Sequence, residues 1–306
     1  MLPVEGGRVE QQIHEFLHVL QSTKGYSRNT IDAYRNDLNQ FLNFALNDRP
    51  NLSHWGRVDK PLVLMFIIHL KERGYTASSV SRKVAVIKSF YHYLFERKLI
   101  DADPTAMVGS PKVEKRLPQV LSSDEIERLL AAPIQNTTPK GLRDRAMLEL
   151  LFASGMRVSE LTALNVTDIN LEQGTVHCAG RGAKRRVLPI PERVADILAQ
   201  YIARGRSTLA RDDQAALFVN PHGERLTRQG LWLIIKEYVK EADIRTPVTP
   251  HTMRHSFAVH LLHKGEDVAT VQRLLGHANK ATTQMYARLA GVDSSTTALA
   301  KTHPDF

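Results

Sequence analysis

Thr249-Pro250-His251-Thr252-Met253-Arg254-His255, then Leu274-Leu275-Gly276-His277, then Tyr286: these three short stretches in the last third of the 306-residue chain decide how the rest is read. Thr249 can cap the helix that Pro250 opens, which puts His251 in the first turn and Arg254 three residues on, along the same face. Helix N-termini attract anions, so an imidazole and a guanidinium stand where a phosphate would sit. Met253, Phe257 and Leu261 take the opposite face of that helix, toward a core. Gly276 stops the next helix, over 267–275, and turns His277 out of the apolar run and away from the core. Tyr286 follows nine residues later, after Ala281-Thr282-Thr283 starts another segment. Cations or proton carriers on one helix, a further histidine and a hydroxyl form an inventory suited to attack on a phosphodiester.

Upstream, Gly155-Met156-Arg157-Val158-Ser159-Glu160-Leu161 adds a second arginine. Ser154-Gly155 signals a loop and 158–164 a short helix, so Arg157 also sits at a helix start, where a forked, always-charged side chain suits bidentate contact with phosphate oxygens. Each piece has a plainer reading in isolation. His251 and Arg254 could simply cover a helix end, Arg157 could pair with Glu160, His277 could cap carbonyls, and Tyr286 could be core.

The bulk properties leave room for that chemistry. The formal charge of +9 implies an anionic partner, although an excess of this size suits many basic proteins. One cysteine, Cys178, excludes an intrachain disulfide, and no signal-peptide pattern opens the chain. The longest apolar stretch, 61–70, is far short of a membrane span, so a cytoplasmic location is the expectation.

The first hundred residues read as helices. Val9, Ile13, Phe16, Leu17 and Leu20 keep helical spacing over 9–21, and Ile31, Tyr34, Leu38, Phe41, Leu42 and Phe44 do so over 27–46. Two more helices follow at 61–73 and 78–97, giving a four-helix unit over 1–108. The fourth crowds Ser78, Ser79, Ser81, Arg82, Lys83 and Lys88 into its first half, while Val84, Ile87, Tyr91 and Leu94 supply a buried stripe. That charged face is either solvated or laid on an anion. Residues 109–118, with Lys112, Lys115 and Arg116 among prolines, read as an extended linker that could follow a phosphate backbone. A second domain, 119–306, opens on the cap Ser122-Ser123-Asp124-Glu125. Between 168 and 191 the period shortens toward two around Gly180-Arg181-Gly182-Ala183-Lys184, which predicts a small antiparallel sheet with a basic loop at its tip. Helices are expected at 142–152, 191–204, 227–242, 250–264 and 267–275, with one more near Tyr286. The fold class is therefore mainly α with a small antiparallel β-sheet, in two domains.

In this order, Arg157, basic hairpin, His251-x-x-Arg254, Leu-Gly-His277 and Tyr286, the motifs resemble the tyrosine recombinase (phage integrase) family over nearly the whole chain. Tyr34-Arg35-Asn36-Asp37-Leu38, Asp103-Pro104 and Ser110-Pro111-Lys112 add a weaker likeness to its Xer-type site-specific recombinases. The resemblance implies a SAM-like, core-binding first domain and an α+β catalytic second domain that clamp duplex DNA. It implies that Tyr286 attacks the scissile phosphate to give a 3′-phosphotyrosyl link. Arg157 and Arg254 would then hold the nonbridging oxygens, His251 would exchange a proton with the tyrosine, and His277 would hydrogen-bond the phosphate. No metal, ATP or other cofactor is implied. Arg82, Lys83, Lys88, Lys112, Arg181 and Arg185 would contact DNA, and four protomers, alike or of two kinds, would join two copies of a recombination site. The tail 292–306 would dock onto a neighbour, and a second recombinase or a DNA translocase would be a further partner.

One position departs from the family pattern, which places a lysine on the hairpin to protonate the leaving 5′-oxygen. Arg181 stands there, and arginine is a poor acid because its pKa lies above about 12. Lys184 is the expected donor, with Arg181 its rival. Resolution of chromosome or plasmid dimers is the expected task. The alternatives are the integrase or transposase of a mobile element, a related type IB topoisomerase, a phosphate-ester hydrolase, and a catalytically inactive DNA-binding accessory protein.

Overall fold

The computed structural model describes residues 6–109, 118–179, 185–277 and 280–292, and the chain divides into two compact units, Met1–Lys115 and Arg116–Phe306. In the first, α1 (Gly6–Ser22), α2 (Arg28–Asp48), α3 (Lys60–Glu72) and α4 (Ala77–Glu96) run close to the helices expected from periodicity. Ser27, Asp59 and Thr76 cap α2, α3 and α4 by accepting from backbone N–H groups that the helices leave unpaired. The apolar stripes meet in an aromatic core. The rings of Phe41 and Phe66 lie 5.1 Å apart, as do those of Trp55 and Phe90, and the Trp55 indole donates to the Val9 carbonyl at 3.1 Å.

The fourth helix corrects one expectation. Lys83 does not lie on a solvated, DNA-facing surface; it is 6% exposed, and its ammonium donates to Asp37 at 2.7 Å and to Gln40 at 2.6 Å. Arg82 pairs with the same carboxylate while remaining exposed. An ammonium spaced with Val80, Ile87 and Phe90 on one helical face enters the core with them, and burial there requires the counterion that α2 supplies.

The second unit is built around α6 (Pro139–Ser154), which follows α5 (Ser123–Ala131) and buries Ala146, Met147, Leu148, Leu150 and Leu151. It precedes α7 (Val158–Ala163) and a sheet of β1 (Ile169–Asn170), β2 (Thr175–Ala179) and β3 (Arg185–Pro189), antiparallel in that order. The register pairs Val176 with Leu188 and Cys178 with Arg186, so Val176, Cys178 and Leu188 point into the core and Arg186 shares their face. The tip of the hairpin, with Arg181 and Lys184, lies outside the described residues, as do most of the expected linker and the tail from 293.

Beyond the sheet come α8 (Glu192–Gln200), a wider π-type turn over Tyr201–Arg206 where a regular helix was expected, and the single turn α9 (Ser207–Leu209). Helices α10 (Arg228–Glu241), α11 (Pro250–His263), α12 (Val268–Leu275) and α13 (Lys280–Leu289) complete the unit. The last three pack on one another around Phe257, Leu261, Val271, Leu275, Tyr286 and Ala287, a small core beside the main one. The architecture is mainly helical with one small antiparallel sheet, as the sequence predicts. No described helix is long and apolar enough to cross a membrane.

Candidate active site

Two glycines set the backbone on which the site is built. Gly155 ends α6 at φ +56°, and a Cβ there would lie 2.2 Å from a Phe257 ring carbon, so chain reversal and close packing both require glycine. Gly276 ends α12 at φ +62°, with Arg186 so near that a Cβ would stand 2.8 Å from its Nη1. The carbonyls these turns leave unpaired face arginines. Arg254 donates through Nη1 to the Gly155 carbonyl at 2.6 Å and through Nη2 to the Leu275 carbonyl, while Arg157 Nη2 reaches the Gly276 carbonyl at 3.4 Å.

Arg254 therefore does not lie on a solvent-facing stripe. It is 5% exposed, on a helix that also buries Met253, Phe257 and Leu261. Burial, then Arg157, lowers its pKa to about 10, which leaves it cationic at neutral pH. Arg157 occupies the N-cap of α7 and donates to Glu160 twice, from its backbone N–H to Oε2 at 2.6 Å and from Nη1 to Oε1 at 2.9 Å. Glu160 is no surface partner, being 6% exposed and held from the other side by Arg186, whose two Nη atoms meet its two oxygens at 2.9 Å each. Burial alone would raise the Glu160 pKa, but the Arg157 N–H and the Arg186 fork outweigh it and the net direction is down. Three guanidinium groups thus gather around one carboxylate, leaving a positive surplus for an anion.

The histidines and the tyrosine close the cluster. Tyr286 is 1% exposed, and its hydroxyl meets Nδ1 of His255 at 2.6 Å. His251, expected to exchange a proton with the tyrosine, is exposed in the first turn of α11 and stacks on His255 with ring centres 6.2 Å apart. His277 is half-buried rather than turned away from the core; its Nδ1 lies 3.0 Å from the Thr283 hydroxyl and its ring 5.9 Å from Tyr286. Burial first, then neighbouring cations, lowers the pKa of both His255 and His277 to about 4, so both are neutral at pH 7. Burial raises that of Tyr286, against the pull of Arg254.

Of the expected residues, Arg157, His251, Arg254, His277 and Tyr286 all fall in the second unit and are linked through the contacts above. Arg185 is exposed on β3 and Lys88 half-buried on α4, whereas Lys112, Arg181 and Lys184 lie outside the described residues. Sequence reasoning missed His255 and Arg186. The signals were present, because His255 stands four residues after His251 on the same helical face and Arg186 alternates with Leu188 on the inner face of β3. Among the described residues no group of three or more His, Cys, Asp or Glu could hold a metal ion.

The sequence matches the model described as "Phage integrase family" over residues 119–291, and that of "Phage integrase, N-terminal SAM-like domain" over residues 13–98. The chain belongs to the phage integrase family. It is a tyrosine recombinase, of the kind that cleaves and rejoins DNA. The recombinase is 45% identical over 290 residues to tyrosine recombinase XerC of Roseiflexus sp. (strain RS-1), which covers 94% of this chain and 92% of that one. It is 41% identical over 283 residues to tyrosine recombinase XerD of Oceanobacillus iheyensis, covering 92% and 94% respectively. In fold it resembles the XerH site-specific recombinase bound to its palindromic difH substrate, with a TM-score of 0.70 at 20% identity and 92% of each chain covered.

Proposed function

We propose that this recombinase exchanges DNA strands at a defined site by transesterification, with Tyr286 as the nucleophile. Its hydroxyl attacks the scissile phosphate, forming a 3′-phosphotyrosyl ester and releasing a 5′-hydroxyl; rejoining reverses the step, so the ester conserves the bond and no ATP is consumed. Arg157 and Arg254 hold the nonbridging oxygens, and each is already oriented by carbonyls or by Glu160, so little reorganisation is needed as charge builds in the transition state. His277 donates to the same phosphate, and His251 stands beside it at the N-terminus of α11. Lys184 protonates the leaving oxygen, with Arg181 the rival donor. The observation that carries this reading is the joining of Arg157 and Arg254 to the turns that end α6 and α12, next to a tyrosine hydroxyl already hydrogen-bonded to an imidazole.

Exposed Arg185, half-buried Lys88 and Arg82 would add phosphate contacts, with α4 approaching a major groove. A tetramer of one or two kinds of recombinase would join two sites in the cytoplasm, and the task is resolution of chromosome or plasmid dimers. The relatives named XerC and XerD support that role.

The test is covalent capture in EDTA. A randomised pool of nicked duplexes is incubated with the full chain, adducts are isolated on a denaturing gel, and the captured sequence is cloned. Wild type should yield a discrete sequence and Tyr286→Phe none. Capture of nothing by wild type, or capture by Tyr286→Phe, would sink the reading.

A further inference from the structure

We infer that His255 is a catalytic residue of this recombinase: it accepts the proton of Tyr286 during cleavage and returns it during rejoining. The inference rests on the reading of Tyr286 as nucleophile and adds the atom to which its proton goes.

Geometry carries it. At 1% exposure the tyrosine has no bulk water to receive its proton, which leaves a protein atom or the substrate phosphate itself as acceptor, and the structure offers a protein atom. Among the described residues the hydroxyl has one hydrogen-bond partner, Nδ1 of His255, at 2.6 Å, within the range from which a general base works. The rings lie 5.4 Å apart and tilted by 43°, so the contact runs through the hydroxyl rather than by stacking. His251 makes its ring contact with His255 instead, from the solvent side.

The surroundings suit an acceptor that waits for substrate. His251 and Arg254 face His255 from α11, Tyr286 from α13, and His277 from the end of α12. Burial and the neighbouring cations keep His255 neutral, with a pKa of about 4, so one of its ring nitrogens has a free lone pair at physiological pH, and the proposal places that lone pair on Nδ1, the atom facing the hydroxyl. Those neighbours also disfavour the imidazolium while the anion site is empty. A scissile phosphate between the two arginines supplies the missing negative charge, and the tyrosine proton becomes acidic as Oη bonds to phosphorus. In the balanced step, the Oη–H bond breaks toward Nδ1, the Oη–P bond forms and the P–O5′ bond breaks. The 5′-oxygen takes its proton from a separate donor, for which Lys184 is proposed.

Two measurements test the assignment. The first uses the full chain labelled with ¹⁵N-histidine, without DNA: at neutral pH the His255 Nδ1 shift should be that of an unprotonated acceptor, with the proton on Nε2. A protonated Nδ1 overturns the inference. The second follows adduct formation on the captured duplex. His255→Ala should slow cleavage by about 10²–10⁴-fold, the usual worth of a positioned base, and added imidazole should restore part of the rate according to its own pKa. His255→Asn, which keeps an acceptor but has no proton affinity, should stay slow. Cleavage by either variant at the wild-type rate or faster overturns it, the faster result marking His255 as a latch on the nucleophile. An active wild type beside an equally active His255→Ala removes this inference alone, while loss of Tyr286-dependent capture removes the reading beneath it.

Discussion

Gly155→Ala tests the structural basis of the site at one atom. The position has φ +56°, which costs a non-glycine residue about 1–2 kcal/mol. The added Cβ would stand 2.2 Å from Cδ1 and 2.5 Å from Cε1 of Phe257. That ring is 2% exposed and packed edge-on against Phe152, so it cannot swing aside as the end of a lysine would, and overpacking of this kind costs about 1–3 kcal/mol. Together the two effects predict a loss of about 2–5 kcal/mol, seen as a fall in Tm of roughly 4–20 °C for a unit of this size. Differential scanning calorimetry of the full chain reads it, and a cycle with Phe257→Ala separates the causes. The steric share, about 1–3 kcal/mol, should appear as coupling between the two substitutions, while the backbone share persists in the double variant. A single variant that melts with wild type, or a coupling near zero, would refute the claim that glycine is needed there for both reasons. The carbonyl of this residue also holds Arg254, so the variant should lose cleavage activity along with stability.

Asp37→Ala strands the buried ammonium of Lys83 and should cost about 3–5 kcal/mol in a denaturant melt, most of it recovered by adding Lys83→Met; a loss under about 1 kcal/mol would mean the pair is not needed for burial. For His277 the folded pKa of about 4 lies below the ordinary value of 6.5, so between the two the unfolded chain binds a proton that the folded chain refuses. Stability should therefore fall as the pH drops from about 6.5 toward 4, and His277→Asn should flatten that slope between pH 7 and 5; parallel slopes would remove the argument. On the captured duplex, Arg185→Ala should reduce the slope of log Kd against log salt by about one phosphate contact, whereas Lys83→Met should leave it unchanged, because the first side chain is exposed and the second buried. Equal effects would mean that exposure does not govern which cations meet DNA.

Much of this molecule was legible in the sequence because periodicity and capping are local. The helices of the first unit carry their apolar stripes and hydroxyl caps openly, and Gly155 and Gly276 mark the turns beside Arg157 and His277. What stayed hidden depends on contacts across long separations. Nothing near Lys83 announces Asp37, 46 residues away, although its spacing with Val80, Ile87 and Phe90 places it on the buried face. His255 was obscured by the His251-x-x-Arg254 spacing, which draws attention to the i,i+3 pair, while the residue that meets the tyrosine is one step beyond it. Arg254 looked like a surface cation because arginine usually is one, and only the two carbonyls it serves explain its burial. The π-type turn after α8 left no composition signal, since Tyr201–Arg206 reads as ordinary helix.

The bonds of Arg254, to a carbonyl 99 residues behind it and to another 21 ahead, have a consequence for the order in which the protein is made. A ribosome delivers Arg157 first, Arg254 much later, the Leu275 carbonyl after that, and Tyr286 last of all, and domains fold from the N-terminal side as they emerge. Every residue of the proposed anion cradle is made before Tyr286, the proposed strand-breaking group, and the tyrosine joins a core in which it is buried against His255. A chain that stops short of Tyr286 therefore lacks the hydroxyl proposed as the nucleophile.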